Sequence, residues 1–288
     1  MKWKLELGTP VILGNMLLVP IKGENAIEAI PLDEGYGRGV KITETGVIEK
    51  VILENPLDES IFVMDGEEFL GARQDRVAVT SALISSRCSV EYPVVCIEKE
   101  RWEGEKELFE PGFSAFPKLR QTLTFERRSA FEVDQKKVWK QVETKLTTLK
   151  VNSQTMSMHD TFKEKEKEIK DYLYWEPEEE TVGVMAFTSR GFLCCDIFGS
   201  AELFASLKDK VLSGYALDAL EDRIKGKPFD IARHKPEAIM EEIYSTKKEK
   251  EHPSVGVGVE EIVKARKIKG KILKDNETLI HATFFPSR

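Results

Sequence analysis

The sequence predicts an α+β protein, with an amino-terminal antiparallel β-sandwich or open barrel followed by an α+β part. Three observations indicate this class. Short apolar segments bounded by turn residues fill the first 125 or so residues, apolar residues take helical spacing from about Phe131, and strand-like and helix-like segments both follow. We therefore expect a β-rich domain over residues 1–125. We expect an α+β domain over residues 126–288, with a small antiparallel sheet and about four helices, packed intimately on the first.

The amino-terminal strands are short and are bounded by turn signals. Asn55-Pro56-Leu57-Asp58 ends one strand, and Asp65-Gly66 is typical of a tight turn. Such spacing favours antiparallel pairing. Residues 34–39 are rich in glycine but lack the Lys-Ser/Thr ending of a phosphate-binding loop, and residues 103–120 are expected to form a loop. The expected strands are residues 16–21, 47–54, 60–64, 77–84 and 90–97.

The second part combines helical stripes with further strands. Asp134 and Ser200 precede apolar residues at helical spacing, and each is the expected N-cap of a helix. Lys163 to Glu168 alternate in charge, which indicates a solvated helix face rather than a nucleic-acid site. The predicted helices begin near residues 135, 158, 201 and 235, and the predicted strands are residues 182–188, 192–198, 257–265, 268–273 and 278–284.

Composition and charge bound the class of function. Hydrophobic residues make up 41% of the chain, enough for a packed core, and the net charge is −7. Phosphate binding needs a basic field, so no nucleic-acid partner is expected. The first residues carry charges where a signal peptide has an apolar run, and the longest apolar runs are far shorter than a membrane span. Four cysteines without zinc-ligand spacing are expected as reduced thiols, so we expect a cytoplasmic protein with no membrane partner.

Two charged segments of the β-rich part are the strongest functional signal. The first runs from Gly66 to Arg76, and the second runs from Pro93 to Trp102. Charges on a strand are costly unless they face water or each other, so such a cluster is either an ion-pair network or a binding site. If the strands that carry the two segments are neighbours, both segments meet at one end of a sheet.

These segments resemble the ADP-ribosylglycohydrolase- and rhodanese-phosphatase-associated protein domain family. Its members carry Gly-Glu-Glu-Leu-x-Gly-Ala-Lys/Arg-Gln-x-Arg and, downstream, Pro-Val-x-Cys-Val-Glu-x-x-Arg-Trp. The chain has Phe69 where the family usually has Leu, Asp75 where Asn is usual and Glu100 where Gly is common, and the last two add negative charge beside the site. The resemblance spans most of the chain and implies association with ADP-ribose and phosphate enzymes rather than a particular reaction. The matching residues are Gly66, Glu67, Glu68, Gly71, Ala72, Arg73, Gln74, Arg76, Pro93, Val94, Cys96, Glu98, Arg101 and Trp102.

One interpretation is a pocket for a small anionic compound, such as a nucleotide or ADP-ribose. Guanidinium groups bind phosphate or carboxylate through paired hydrogen bonds, an amide fixes orientation, and an indole stacks on a ring. Carboxylates supply acid–base catalysis, including hydrolysis, or bind a hard cation such as Mg²⁺. Whether the protein is an enzyme is left open. The predicted ligand-binding residues are Arg73, Gln74, Arg76, Arg101 and Trp102, and the catalytic candidates are Glu67, Glu68 and Glu98.

The alternative interpretation is structural. Arg76 and Arg101 would then neutralise the glutamates in a partly buried network, and the protein would be a non-catalytic scaffold or assembly protein. Cys96 lies among apolar residues and is expected to be a buried thiol rather than a nucleophile. His159 follows Ser157 and precedes Asp160, but triads are assembled from distant positions, so we expect a surface or capping residue there.

Overall fold

A computed structural model describes residues 3–24, 26–101, 107–226 and 228–287. It confirms the predicted α+β class, with a β-rich amino-terminal region. The chain forms two compact units. The sheet unit comprises Met1–Glu28, Glu168–Ser254 and Gly258–Arg288, and the barrel unit comprises Ala29–Lys167 and Val255–Val257.

The described residues form eighteen strands. In chain order they are β1 (Glu6–Leu7), β2 (Val11–Leu13), β3 (Met16–Lys22), β4 (Ile30–Pro31), β5 (Lys41–Glu44), β6 (Lys50–Asn55), β7 (Ile61–Val63), β8 (Glu67–Gly71), β9 (Arg76–Ala78), β10 (Ala82–Ile84), β11 (Cys88–Cys96), β12 (Leu108–Ser114), β13 (Thr181–Thr188), β14 (Gly191–Phe198), β15 (Lys247–Pro253), β16 (Val259–Lys264), β17 (Ile268–Asp275) and β18 (Thr278–Pro286).

Seven α-helices accompany these strands in the same described residues. They are α1 (Leu32–Gly37), α2 (Pro117–Phe125), α3 (Gln135–Leu149), α4 (His159–Glu164), α5 (Glu166–Lys170), α6 (Ala201–Ile224) and α7 (Pro236–Tyr244). Both expected N-caps are confirmed, because Asp134 accepts a hydrogen bond from Lys136 N and Ser200 accepts one from Leu203 N.

The barrel unit is built around a closed six-stranded barrel. Its strand order is β11-β6-β5-β12-β8-β9, and pairing of β9 with β11 closes it. Alternation along β6 buries Val51 and Leu53 while Lys50 and Glu54 stay exposed, as expected for a strand with one face in a core. A separate three-stranded sheet has the order β10-β7-β4. Strand β8 lies between β9 and β12, so the first charged segment sits within the barrel wall.

The sheet unit contains an antiparallel sheet of nine strands among the described residues. The strand order is β1-β3-β13-β14-β18-β17-β16-β15, with β2 also paired to β3. Helix α6 packs against β13 and β14. The sheet is larger than the small one expected, because β1, β2 and β3 from the amino terminus join it instead of the barrel.

Several local expectations differ from the structure. Residues 103–120 were expected to be a loop, but they include β12 and the start of α2. The charged residues 247–251 lie in edge strand β15, where charged side chains protect an exposed edge. The compact units do not divide at residue 125, because residues 126–167 group with the barrel. As limits of independently folding domains, 1–125 and 126–288 stay a prediction.

Candidate functional site

A tight loop, residues 71–75, connects β8 to β9 and carries the centre of the first charged segment. Gly71 and Ala72 both have positive φ, +117° and +44°, so the chain turns sharply after β8. Gly71 N donates to Asp75 Oδ1 at 2.9 Å and closes the turn. The conformation exposes Arg73 and buries Gln74.

Arg101 joins the second charged segment to this loop. Its Nη1 donates to the carbonyl oxygen of Ala72 at 3.0 Å, its Nη2 to Asp75 Oδ1 at 2.9 Å, and its Nε to Glu98 Oε2 at 2.8 Å. The Gln74 amide also donates to the Glu98 backbone carbonyl oxygen. Charge-assisted bonds of this kind hold a loop more firmly than neutral ones. The structure therefore brings Gln74, Glu98 and Arg101 together. This is the arrangement expected if the strands that carry the two charged segments are neighbours.

Glu68 is paired with His159, a residue 91 positions away. Glu68 Oε2 lies 2.8 Å from His159 Nδ1 and also accepts a bond from Phe113 N at 3.0 Å. The carboxylate is fully buried, and its Oε1 has no hydrogen-bond partner among the described residues. Phe113 lies against the imidazole and stacks on Phe162, with ring centroids 4.5 Å apart. The imidazole is therefore held between a buried carboxylate and an aromatic ring.

A third segment, residues 155–159, brings His159 to the two charged segments. Lys99 N and Met158 N donate to the carbonyl oxygens of Thr155 and Ile97, both at 3.0 Å, so the two stretches run side by side. Ser157 Oγ accepts from His159 N at 3.2 Å and makes a weak bond to Asp75 Oδ2 at 3.4 Å. One continuous network thus runs from the loop 71–75 to the imidazole.

The environment shifts the pKa values of three titratable groups in different directions. Burial acts to lower the pKa of His159, but the hydrogen bond and charge of Glu68 outweigh it, so that pKa is raised above 6.5. Burial raises the pKa of the Asp75 carboxyl. Burial also acts to raise the pKa of Glu98, but hydrogen bonds from Arg101, Thr155 and the Asp75 amide prevail and lower it. Such divergent shifts within one cluster are frequent at functional sites.

Two predicted site residues lie away from this network. Arg76 is buried and donates twice from Nη2 to the Glu44 carboxylate, at 2.7 and 2.8 Å, while its guanidinium lies over the Phe109 ring. Arg76 is therefore paired with Glu44 rather than with Glu68. Glu67 is buried and accepts a bond from Met64 N at 3.1 Å.

The remaining predicted residues are one exposed cation and one undescribed indole. Arg73 is exposed and makes no hydrogen bond or ion pair with any residue that the structure describes. Trp102, predicted to stack on a ligand ring, lies outside the described residues. Cys96 is buried as expected, and burial raises the pKa of its thiol to about 11, so the thiolate is scarce at neutral pH.

His159 is the main functional residue that sequence reasoning missed. It was expected to be a surface or capping residue, but its ring is mostly buried against Glu68 and Phe113. Neither residue lies near His159 in the sequence, so no local spacing could reveal the contact. The one available signal was the Ser-Met-His-Asp run, which combines reactive residue types.

The described residues contain neither a grouped set of metal ligands nor a membrane-spanning helix. Among the described residues, no three His, Cys, Asp or Glu side chains are grouped as metal ligands. None of the helices described is both long enough and apolar enough to cross a bilayer.

Comparison with known proteins yields one match. The model of the ARG and Rhodanese-Phosphatase-superfamily-associated Protein domain matches residues 4–285, nearly the whole chain. No curated protein and no solved structure matches.

Proposed function

Since the chain belongs to the ARG and Rhodanese-Phosphatase-superfamily-associated Protein family, we propose that it binds a small anionic compound beside the loop 71–75. The family name associates these proteins with ADP-ribose and phosphate chemistry. A nucleotide or an ADP-ribose-like compound is therefore the proposed ligand, and its hydrolysis is the proposed reaction if the protein is an enzyme.

The position of Arg73 is the observation that carries this proposal. Arg76 is occupied by Glu44 and Arg101 by Glu98 and Asp75, but Arg73 is exposed beside them. Arg101 holds the carbonyl oxygen of Ala72, directly before Arg73, so the loop that presents this guanidinium is preorganised. A loop backbone that is already ordered adds little to the entropic cost of binding, and the planar guanidinium fork matches the geometry of a phosphate through paired hydrogen bonds.

His159 supplies a second cationic group to the same network. Burial opposes protonation, but the hydrogen bond and charge of Glu68 raise the pKa of His159, so the imidazole is protonated to a greater extent near neutral pH than that of an unperturbed histidine. Asp75, Glu68 and Glu98 are paired with cationic or amide donors, which limits their repulsion of an anion.

A thermal-shift screen tests the proposal. Nucleotides, ADP-ribose and phosphosugars are added to the wild-type protein, with and without Mg²⁺. A compound that binds the folded state stabilises it by about 2.7 kcal/mol at 100 times its Kd. We expect at least one compound to raise the Tm of the wild type and to have little effect on Arg73→Ala.

Arg128→Ala is the matched control for the loss of one positive charge. Arg128 is an exposed arginine of the same unit, 66% exposed, with only long ion pairs of 3.8 Å. It should respond to the compound as the wild type does. If the shift persists in folded Arg73→Ala protein, or if no compound of these classes raises the Tm, the proposal is wrong.

A second candidate is a non-catalytic scaffold or assembly protein. It is favoured by the pairing of Arg101 with Glu98 and Asp75, which neutralises most of the cluster without a ligand. The same screen separates the two functions, because a scaffold predicts no shift with any of these compounds.

A further inference from the structure

We propose that Glu68 and His159 form an acid–base pair, in which His159 Nε2 exchanges a proton with a hydroxyl group or water at the ligand site. This inference deepens the function proposed above and rests on it for the location of the ligand. It assigns the acid–base role to a histidine positioned by a glutamate, rather than to the three glutamates themselves.

The hydrogen bond to Glu68 fixes which nitrogen of the ring is available. A buried carboxylate only 2.8 Å from Nδ1 requires a proton on that nitrogen. The neutral imidazole then carries its lone pair on Nε2, at the opposite side of the ring. The structure gives Nε2 no partner among the described residues, and the side chain remains 15% exposed. The available nitrogen is therefore the one that a ligand or water can reach.

The surroundings also fix the orientation of the pair. Phe113 N donates to the same Glu68 oxygen, and the Phe113 ring lies 5.6 Å from the imidazole, centroid to centroid. An added Cβ at Gly112 would lie only 2.6 Å from Glu68 Oε2, so the backbone closely approaches the carboxylate. Orienting a base through a buried carboxylate is the arrangement that activates histidine in many hydrolases.

The proton step transfers one positive charge to the Glu68–His159 pair and leaves one negative charge on the oxygen that loses its proton. Nε2 accepts the proton from water or a ligand hydroxyl, and the electrons of the broken O–H bond stay on that oxygen as a nucleophile. The resulting imidazolium is stabilised by Glu68 and Asp75 and opposed by Lys163, the groups whose charges act on it. That oxygen then bonds to the electrophilic atom of the bond being hydrolysed, the bond from this atom to the leaving oxygen breaks with its electron pair on the leaving oxygen, and the proton passes from Nε2 to the leaving oxygen, which restores the neutral ring.

The other described histidines offer useful comparisons. His281 contacts Asp196 at 3.2 Å, but it is 1% exposed, so solvent cannot reach it. His252 lies 3.2 Å from Glu260 and is 17% exposed, which matches the exposure of His159. The Glu260 carboxylate contacts Nε2 of His252, whereas the Glu68 carboxylate contacts Nδ1 of His159. His252 therefore serves as a carboxylate-paired control remote in sequence from the charged segments.

Two measurements on the folded full chain test the acid–base pair. Nitrogen-15 NMR identifies the tautomer of each histidine and its titration. Diethyl pyrocarbonate, followed by mass spectrometry, reports how fast each ring reacts at its neutral nitrogen. We expect the Nδ1–H tautomer for His159, and reaction at His159 that ADP-ribose slows in the wild type but not in Arg73→Ala.

The variant Glu68→Gln provides the second arm, with Glu260→Gln as the matched control. Loss of the carboxylate lowers the pKa of His159, so near pH 6.5 the ring reacts several-fold faster with the reagent in Glu68→Gln than in the wild type. Glu260→Gln should leave the rate at His159 unchanged. Because the wild-type tautomer and reactivity need no variant, the test stands even if Glu68→Gln fails to fold.

The outcomes separate this inference from the function proposed above. An Nε2–H tautomer, or an unreactive His159 in protein whose His252 reacts, overturns the acid–base pair. An Nδ1–H tautomer with a reactive Nε2 supports the pair even if ADP-ribose does not protect it, and that failure counts against the proposed ligand. Protection that persists in Arg73→Ala counts against the location of the ligand site.

Discussion

At the scale of single residues, burial decides what each charged side chain of the barrel unit can do. Arg120 and Asp65 are almost fully buried and form a two-point ion pair, with N–O distances of 3.2 and 3.0 Å. Arg87 and Asp58 form an equally regular pair at the surface, with distances of 2.8 and 3.0 Å. Both pairs have the same two-point hydrogen-bond geometry, but only the buried pair is removed from solvent.

The substitution Arg120→Met should therefore destabilise the protein strongly. Removing the guanidinium deprives the buried Asp65 carboxylate of its ion-pair partner, which costs about 3–5 kcal/mol in the free energy of unfolding. Urea unfolding followed by circular dichroism measures the change. Arg87→Met is the control and should unfold at the wild-type urea concentration, within error. Equal losses of unfolding free energy in both variants would contradict the argument that burial determines how much an ion pair contributes.

At the scale of elements, the pairing of β8 with β12 shapes the site. The register between these strands shifts between Pro111 and Ser114, which marks a bulge. The irregularity lets Phe113 N reach the Glu68 carboxylate instead of a ladder carbonyl. An added Cβ at Gly112 would also lie 2.7 Å from Leu70 Cδ1, so a larger residue there must displace its neighbours.

The substitution Gly112→Ala should disturb stability and site together. Overpacking of this kind costs typically about 1–3 kcal/mol, and displacement of Glu68 should lower the pKa of His159. Chemical denaturation and NMR titration of His159 measure the two effects. Gly37→Ala is the control, because its added Cβ meets nothing within 4 Å. A His159 titration unchanged in Gly112→Ala would show that the bulge does not position Glu68.

At the scale of the whole molecule, the site makes stability depend on pH. The pKa of His159 is raised in the folded state, so its pairing with Glu68 contributes fully below its ordinary pKa of 6.5 and is lost as pH rises through the folded pKa. The pKa of Glu98 is lowered, so its contribution is present above its ordinary value of 4.5 and is lost as pH falls through the folded pKa.

We expect His159→Gln to be less stable than the wild type at about pH 6, and the difference to shrink by about pH 9. Urea unfolding at both pH values measures the free energies. His234→Gln is the control, because burial lowers the pKa of that imidazole and its loss should not give a stability difference that shrinks as pH rises. A stability difference that stays constant or grows with pH would contradict a raised pKa for His159.

Some features of the fold were predictable because their causes are local. Asp134 and Ser200 were identified as N-caps, since a short polar side chain before a helical stripe satisfies free amide groups. The strand character of the first part followed from apolar segments between turn residues. Strand β15 was missed, because a charged edge strand carries no apolar alternation.

By itself, the sequence determined the α+β class, the family pattern and the positions of the two charged segments along the chain. Only the tertiary structure decided the partners within that site: Arg76 with Glu44, Arg101 with Glu98 and Asp75, and Glu68 with His159. The physical reason is that caps, turns and strand patterns depend on neighbours in the chain. A buried charge instead selects its partner from whatever the closed barrel brings within hydrogen-bonding distance, wherever that partner lies in the sequence.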